Sequence, residues 1–170
     1  MKLEIIHLSD FHINKSFNHH DYINKIIDSI IIDDSSISKK IVLCITGDLA
    51  NSGHKSQYKI FDLFLSELKE KIEDKGKELI LYFVPGNHDI SLPKDEERMP
   101  MLEHAIATKE YGEILENDIK NMSNFFEFAG KYELFEENKY VCIKTLNVED
   151  KKIQFNLLNT ACLSLSSKND

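Results

Sequence analysis

Short apolar runs and longer amphipathic stretches alternate along the first half of the chain. Residues 3–8 form an apolar run ending in a polar turn, the pattern of a buried strand. Asp21 is placed to N-cap a segment whose apolar residues, Tyr22, Ile23, Ile26, Ile27, Ile30 and Ile31, recur at helical spacing. The polar cluster 33–40 reads as a loop. Residues 41–45 read as a second strand, followed at once by Thr46-Gly47-Asp48. Residues 55–74 carry Tyr58, Phe61, Phe64, Leu65, Leu68 and Ile72 on one face, the clearest amphipathic helix of the chain, with Gly76 as its stop. Residues 79–84 are a third strand, halted by Pro85-Gly86. The order strand, helix, strand, helix, strand predicts βαβ units, hence an α/β fold with a largely parallel sheet.

The second half differs. Residues 93–132 are acidic, lack a strand pattern and read as two or three helices, with apolar positions at Ile106, Tyr111, Ile114, Leu115, Ile119, Met122, Phe125 and Phe126. This helical insertion follows directly on Asn87-His88-Asp89 and is expected to cap the crevice there. Residues 140–146 and 153–158 read as two strands around a polar turn at 148–152, an antiparallel hairpin. Residues 164–170 are polar and read as a loop or cut point.

Composition narrows the function classes. The 170 residues, 42% hydrophobic and 29% charged, suit one globular domain with a real core. The longest apolar runs are too short to span a bilayer. The opening MKLEIIHLSD is broken by Glu4 and His7 and no small-residue cleavage site follows, so no signal peptide is expected and the default location is cytoplasmic. Cys44, Cys142 and Cys162 are far apart and form no CxxC pair, which argues against a disulfide framework or zinc ribbon. Cys44 and Cys142 read as small buried hydrophobes in strands. A net charge of −8 argues against a broad surface for duplex nucleic acid, but not against a local cationic site built from bound metal ions.

Three polar clusters each follow a predicted strand: Ser9-Asp10-Phe11-His12, Gly47-Asp48-Leu49-Ala50-Asn51 and Pro85-Gly86-Asn87-His88-Asp89. In a parallel sheet the loops at the carboxyl ends of strands converge on one crevice. That arrangement gathers Asp10, His12, Asp48, Asn87 and His88, whose oxygen and nitrogen donors suit divalent ions. Two such ions about 3.5–4 Å apart acidify a water and clamp phosphoryl oxygens. Taken singly, each cluster has a plainer reading: a capped turn at Asp10, an N-cap at Asp48, a polar turn after Pro85-Gly86. The remaining histidines also read plainly. His7 is a sheet-face residue, His19 and His20 are solvated before a helix cap, His54 starts the next helix, and His104 lies in the helical segment. The run Asp95-Glu96-Glu97 reads as a solvated loop, and Phe125, Phe126 and Phe128 as packing.

DxH, then GD, then GNHD, each after a strand, resembles the calcineurin-like metallophosphoesterases, and the segment GDLANSGHKSQY with the helix after it and the later NTACLS strand end resembles their phosphodiesterase and nuclease-like branches. The resemblance runs through Cys162. It implies a layered phosphoesterase sandwich, here its N-terminal part, and a phosphodiester substrate of nucleotide or nucleic-acid type. It also implies two divalent ions, Mn foremost, with Fe, Zn, Mg or Ni as alternatives. By the same resemblance Asp10 and His12 hold the first metal, Asp48 bridges both, Asn87 holds the second, and His88 lies beside the scissile phosphate. Two departures stand out. No histidine follows His104, whereas the family adds one and then a GHxH motif, so the chain is expected to be truncated and by itself inactive, possibly one part of a larger multidomain chain. Asn51 stands where many members have a second Asp that pairs with the catalytic histidine, leaving Asn51 and Asp89 as possible supports for His88. Sheet edges left open by truncation imply a possible oligomer, and no membrane partner is expected. The rival class is a non-catalytic phosphoesterase-like binding or scaffold module.

Overall fold

The computed structural model describes residues 2–14, 16, 19–31 and 38–165. Strands β1 (Lys2–Leu8), β2 (Ser38–Thr46) and β3 (Glu78–Val84) form a parallel sheet in the order β1-β2-β3. Helices α1 (His19–Ile31) and α2 (Lys55–Glu73) make the two crossovers. Right-handed crossovers between neighbouring strands taken in sequence place both helices on one face, where they pack against each other. The central strand is apolar throughout its middle: Ile41, Val42 and Leu43 are all fully buried, as a strand covered on both faces requires.

β3 shows how the layers divide. Successive side chains point to opposite faces of a sheet. Phe83 points to the helical side and meets Phe125, Phe128 and Tyr132 at ring-centroid distances of 6.2, 5.2 and 5.3 Å. Tyr82 points the other way and meets Phe155, at 4.8 Å, on the hairpin of β4 (Val141–Val148) and β5 (Lys151–Leu158). Between β3 and the hairpin lie α3 (Asp95–Thr108), α4 (Gly112–Asn121) and α5 (Ser123–Gly130). α5 drives Phe125 and Phe128 into the core beside α2, while Leu102, Ala105 and Ile114 form a small second cluster. A buried ion pair ties these helices to the end of the chain. Arg98 on α3 donates to both oxygens of Asp118 on α4, at 2.8 Å each, with the two side chains 2% and 0% exposed. Arg98 Nε also donates to the Ser164 carbonyl, and Asp118 accepts the Leu163 N–H.

Several expectations shift. α1 begins at His19, so Asp21 lies inside the first turn, where a carboxylate still meets the positive helix end. His20 is likewise helical and bonds to Glu67 on α2 at 3.2 Å. β2 starts at Ser38, because Lys40 joins the ladder between Leu3 and Glu78 and pairs with the Glu78 carboxylate at 2.8 Å. Residues 33–37 and 166–170 fall outside the described set. The hairpin turn shrinks to Glu149 and Asp150, with Glu149 at φ 56°, since polar residues of the strand ends sit on an open face. Asp95, Glu96 and Glu97 form the first turn of α3 rather than a loop, and Ile106 is 62% exposed. Of the helical insertion, α5 packs beside α2 and against Phe83 of the sheet.

Phe83→Ala should cost about 3–5 kcal/mol, because a fully buried ring leaves a cavity among three other rings. Urea unfolding should show a lower midpoint with an unchanged slope. Arg98→Met strands a buried carboxylate and should cost a further class of about 3–5 kcal/mol, whereas Arg98→Met with Asp118→Leu should recover most of it. Equal unfolding midpoints for the single and double variants would contradict the ion-pair account.

Candidate metal centre

The strands end level, so the three polar loops leave the same sheet edge. The first two are stitched together by backbone beyond their strands. Asp10 N–H donates to the Gly47 carbonyl at 3.3 Å, His12 N–H to Asp48 O at 2.9 Å and Ile13 N–H to Leu49 O at 3.0 Å, while Asn51 N–H returns to Ile13 O at 3.1 Å. This stitching demands unusual backbone. Asp10, His12 and Asp48 adopt φ of 58°, 46° and 52°, in the left-handed region that non-glycine residues rarely visit. Asp and His are among the residues that enter it most readily, so these residue types serve the turn as well as the chemistry.

The third loop closes on the second. The His88 backbone N–H donates to Asp48 Oδ1 at 2.9 Å. Gly86 makes that approach possible: a methyl group on its Cα would overlap both the carboxylate and the backbone nitrogen of Asp48. Its φ of −110° is ordinary, so space rather than backbone freedom requires glycine here. Gly47 needs both, with φ 96° and only 3.0 Å between a built Cβ and the Gly86 Cα.

Donor atoms of His12, Asp48 and His88 lie within 4.8 Å of one another, all on half-buried side chains. The two imidazole rings stand edge to face with centroids 4.5 Å apart. Asp10 is at the rim, its side chain 66% exposed and its Oδ1 3.8 Å from His12 Nε2, too far for a hydrogen bond. Asn87 is half-buried and shares with Asp48 the lining of a cavity of about 780 Å³. β5 and the segment after it supply the other wall, through Phe155, Leu157 and Ala161 among others. Among the described residues no part of 93–132 lines this cavity, while Asn124 and Asn121 of that segment bond to the Gly53 carbonyl and the Ser91 N–H beside the second and third loops.

The two supporting residues act differently from each other. The Asn51 side chain is exposed, but its carbonyl lies 2.9 Å from His88 Nδ1. A carbonyl only accepts, so Nδ1 carries the proton and the neutral ring presents its lone pair at Nε2. Asp89 is fully buried. Its carboxylate accepts Leu49 N–H at 3.1 Å and Ala50, Gly86 and Tyr58 O–H at 2.9 Å each. Burial pushes its carboxyl up to about 6, against the pull of those four donors, so it is ionised at neutral pH. Tyr58 reads in sequence only as one apolar position on a helix face. The clue lies in its type, since a buried tyrosine hydroxyl needs a partner and the neighbouring core positions are Phe and Leu. Burial, then the Asp89 charge, push that hydroxyl far above its ordinary range.

The other histidines stand apart. His7 bonds to Thr46 Oγ1 at 2.6 Å on the sheet face, His54 N-caps α2, and His104 is exposed on α3. The residues present fit a divalent cation. A carboxylate and imidazoles are the donor types that borderline metals take, and His12 Nδ1 is a buried nitrogen with no hydrogen-bond partner among the described residues.

Comparison with known families matches the calcineurin-like phosphoesterase model to residues 3–163. Curated proteins and solved structures returned no significant match. The matched span runs from β1 through the segment after β5 and includes all three loops, so the chain belongs to the calcineurin-like phosphoesterase family.

Proposed function

We propose that this chain carries the first part of a two-metal phosphodiesterase site whose substrates are nucleotides or nucleic-acid strands. The observation that supports it is the convergence of His12, Asp48 and His88 donors at the ends of three parallel strands. In this reading Asp10 and His12 hold one ion, Asp48 is shared by both, and Asn87 serves the second. When bound, such ions supply Lewis acidity to the phosphoryl group and lower the pKa of an attacking water, Mn being the leading candidate. Asp48 keeps the second and third loops in register through its bond to the His88 N–H. His88 would present Nε2 to the leaving oxygen and donate its proton there when the ring is protonated. Two ions take more donors than the described residues gather here, so this reading requires further ligands. A non-catalytic binding module is favoured by one observation, the exposed Asn51 side chain where an acidic partner for His88 is expected.

Hydrolysis of bis(p-nitrophenyl) phosphate with Mn²⁺ by the protein that contains this chain tests the proposal. Asp48→Asn should abolish activity and metal-dependent thermal stabilisation together, and His88→Ala should lower kcat about 10²–10⁴-fold. Activity undiminished in both variants would end the hydrolase reading, and a wild type that binds Mn²⁺ without hydrolysing any diester would favour the binding module. Gly86→Ala should push the third loop off Asp48, destabilising the fold by about 1–3 kcal/mol and weakening Mn²⁺ binding in calorimetry.

A further inference from the structure

The acceptor that the Asn51 loop offers His88 Nδ1 is the Asn51 backbone carbonyl, at 2.9 Å. Its direction is therefore only as well defined as the peptide segment 49–51. Two sets of bonds fix that segment. On one side Asn51 N–H and Ile13 N–H tie it to the first loop. On the other, the N–H groups of Leu49 and Ala50, the two residues immediately before Asn51, end on the buried Asp89 carboxylate. The same carboxylate takes the Gly86 N–H, two residues before His88, and the Tyr58 hydroxyl from α2.

We propose that Asp89 and Tyr58 are positioning residues for His88, holding the Asn51 carbonyl and the His88 backbone at a fixed separation and so fixing which ring nitrogen carries the proton. The inference rests on His88 acting at the phosphoester, but the tautomer it predicts does not. Asp89 anchors both ends of the contact: the loop that presents the acceptor and the loop that presents the ring. Tyr58 anchors Asp89 in turn to the rigid core, since its ring stacks on Phe128 at 5.5 Å and packs near Phe125 at 6.3 Å. An ionised carboxylate suits this task because four donors converge on it and none needs an acceptor. Asparagine cannot replace it, as its amide would turn a donor toward backbone N–H groups. The exposed Asn51 side chain thus becomes intelligible: the neighbouring peptide, steadied from below, does the orienting that a second carboxylate would otherwise do.

The test is the ring tautomer of His88, read by long-range ¹H–¹⁵N correlation spectra of the full metal-free chain at about two pH units above the ordinary imidazole pKa of about 6.5. The wild type should show the Nδ1–H form. Tyr58→Phe keeps the ring packing and should admit a clear share of the Nε2–H form, with Asp89→Asn shifting it further. Leu68→Ala, in the core of α2 and away from the loops, should lower thermal stability yet leave the tautomer as in wild type. In the active protein both loop variants should lower kcat about 10- to 100-fold while KM stays within about twofold. Should Asp89→Asn fail to fold, Tyr58→Phe alone decides. A wild-type tautomer and kcat in folded Tyr58→Phe would overturn the inference, as would an Nε2–H ring in the wild type. A tautomer shift in the variants without diester hydrolysis by the wild type would sustain the positioning role and remove the hydrolase reading.

Discussion

Parallel register across β1, β2 and β3 is the constraint from which the site follows. Leu8 is paired with Ile45 and Ile45 with Phe83, so the three strands end within a residue of one line. The central strand is paired on both sides, and the chain must leave the sheet at the same height three times. The loops then have N–H and C=O groups that would be orphaned if each turned away alone. They satisfy one another instead: the first loop donates to the second, and the second and third meet on side-chain carboxylates. Side chains leaving these loops are brought together by this accounting before any ligand is considered. The βαβ connections matter because they make the strands parallel, and a hairpin sheet would have sent alternate loops to opposite edges.

The convergence carries strain. Left-handed backbone at a non-glycine residue costs roughly 1–2 kcal/mol, and Asp10, His12 and Asp48 each adopt it. Such conformations persist only where the surroundings over-determine them. Here the surroundings are the buried Asp89 carboxylate, the Ile13–Ala50 bridge and the rings of α2 and α5 beneath. Net gains of about 0.5–1.5 kcal/mol for an ordinary hydrogen bond, and more for one to a charged group, are large enough in sum to offset three strained residues. The site is thus preorganised at the expense of local stability, and the phenylalanine-rich core on the helical side of β3 supplies what the loops lack.

Much of this was legible in the sequence. The strands, the amphipathic α2 and the GD and GNHD turns came from period and punctuation, because a parallel strand is apolar on both faces and its loop is abruptly polar. The helical insertion and the hairpin were legible as types of structure. Their placement was not: which face α5 packs on depends on Phe83 meeting Phe125 and Phe128, a long-range fact that local spacing does not encode. Boundaries failed where polar residues extend an element, as Lys40 does in β2 and Asp95 in α3, since solvent exposure at element ends permits either sign. His12, Asp48 and His88, whose donor atoms converge, were read from motif, whereas the polar roles of Tyr58, Arg98 and Asp118 were missed. Buried polar groups are identified by their partners, and partners 20 or 31 positions away leave no periodic trace.

Charge makes the proposed chemistry conditional on metal. The chain has a net charge of −8, and Asp10, Asp48 and Asp89 all lie in the three loops. A phosphodiester approaching the bare loops meets carboxylates and so gains no attraction from them. Bound divalent ions reverse that local sign, being the largest charges in such a site. Metal and substrate are then thermodynamically linked: whatever factor the ions add to phosphoester affinity, the phosphoester adds to theirs. On that argument the neutral Asn51 side chain has a second consequence. An aspartate there would add negative charge beside His88, whereas the carbonyl orients the ring and adds none, so an anion drawn in by the metals would meet one carboxylate fewer.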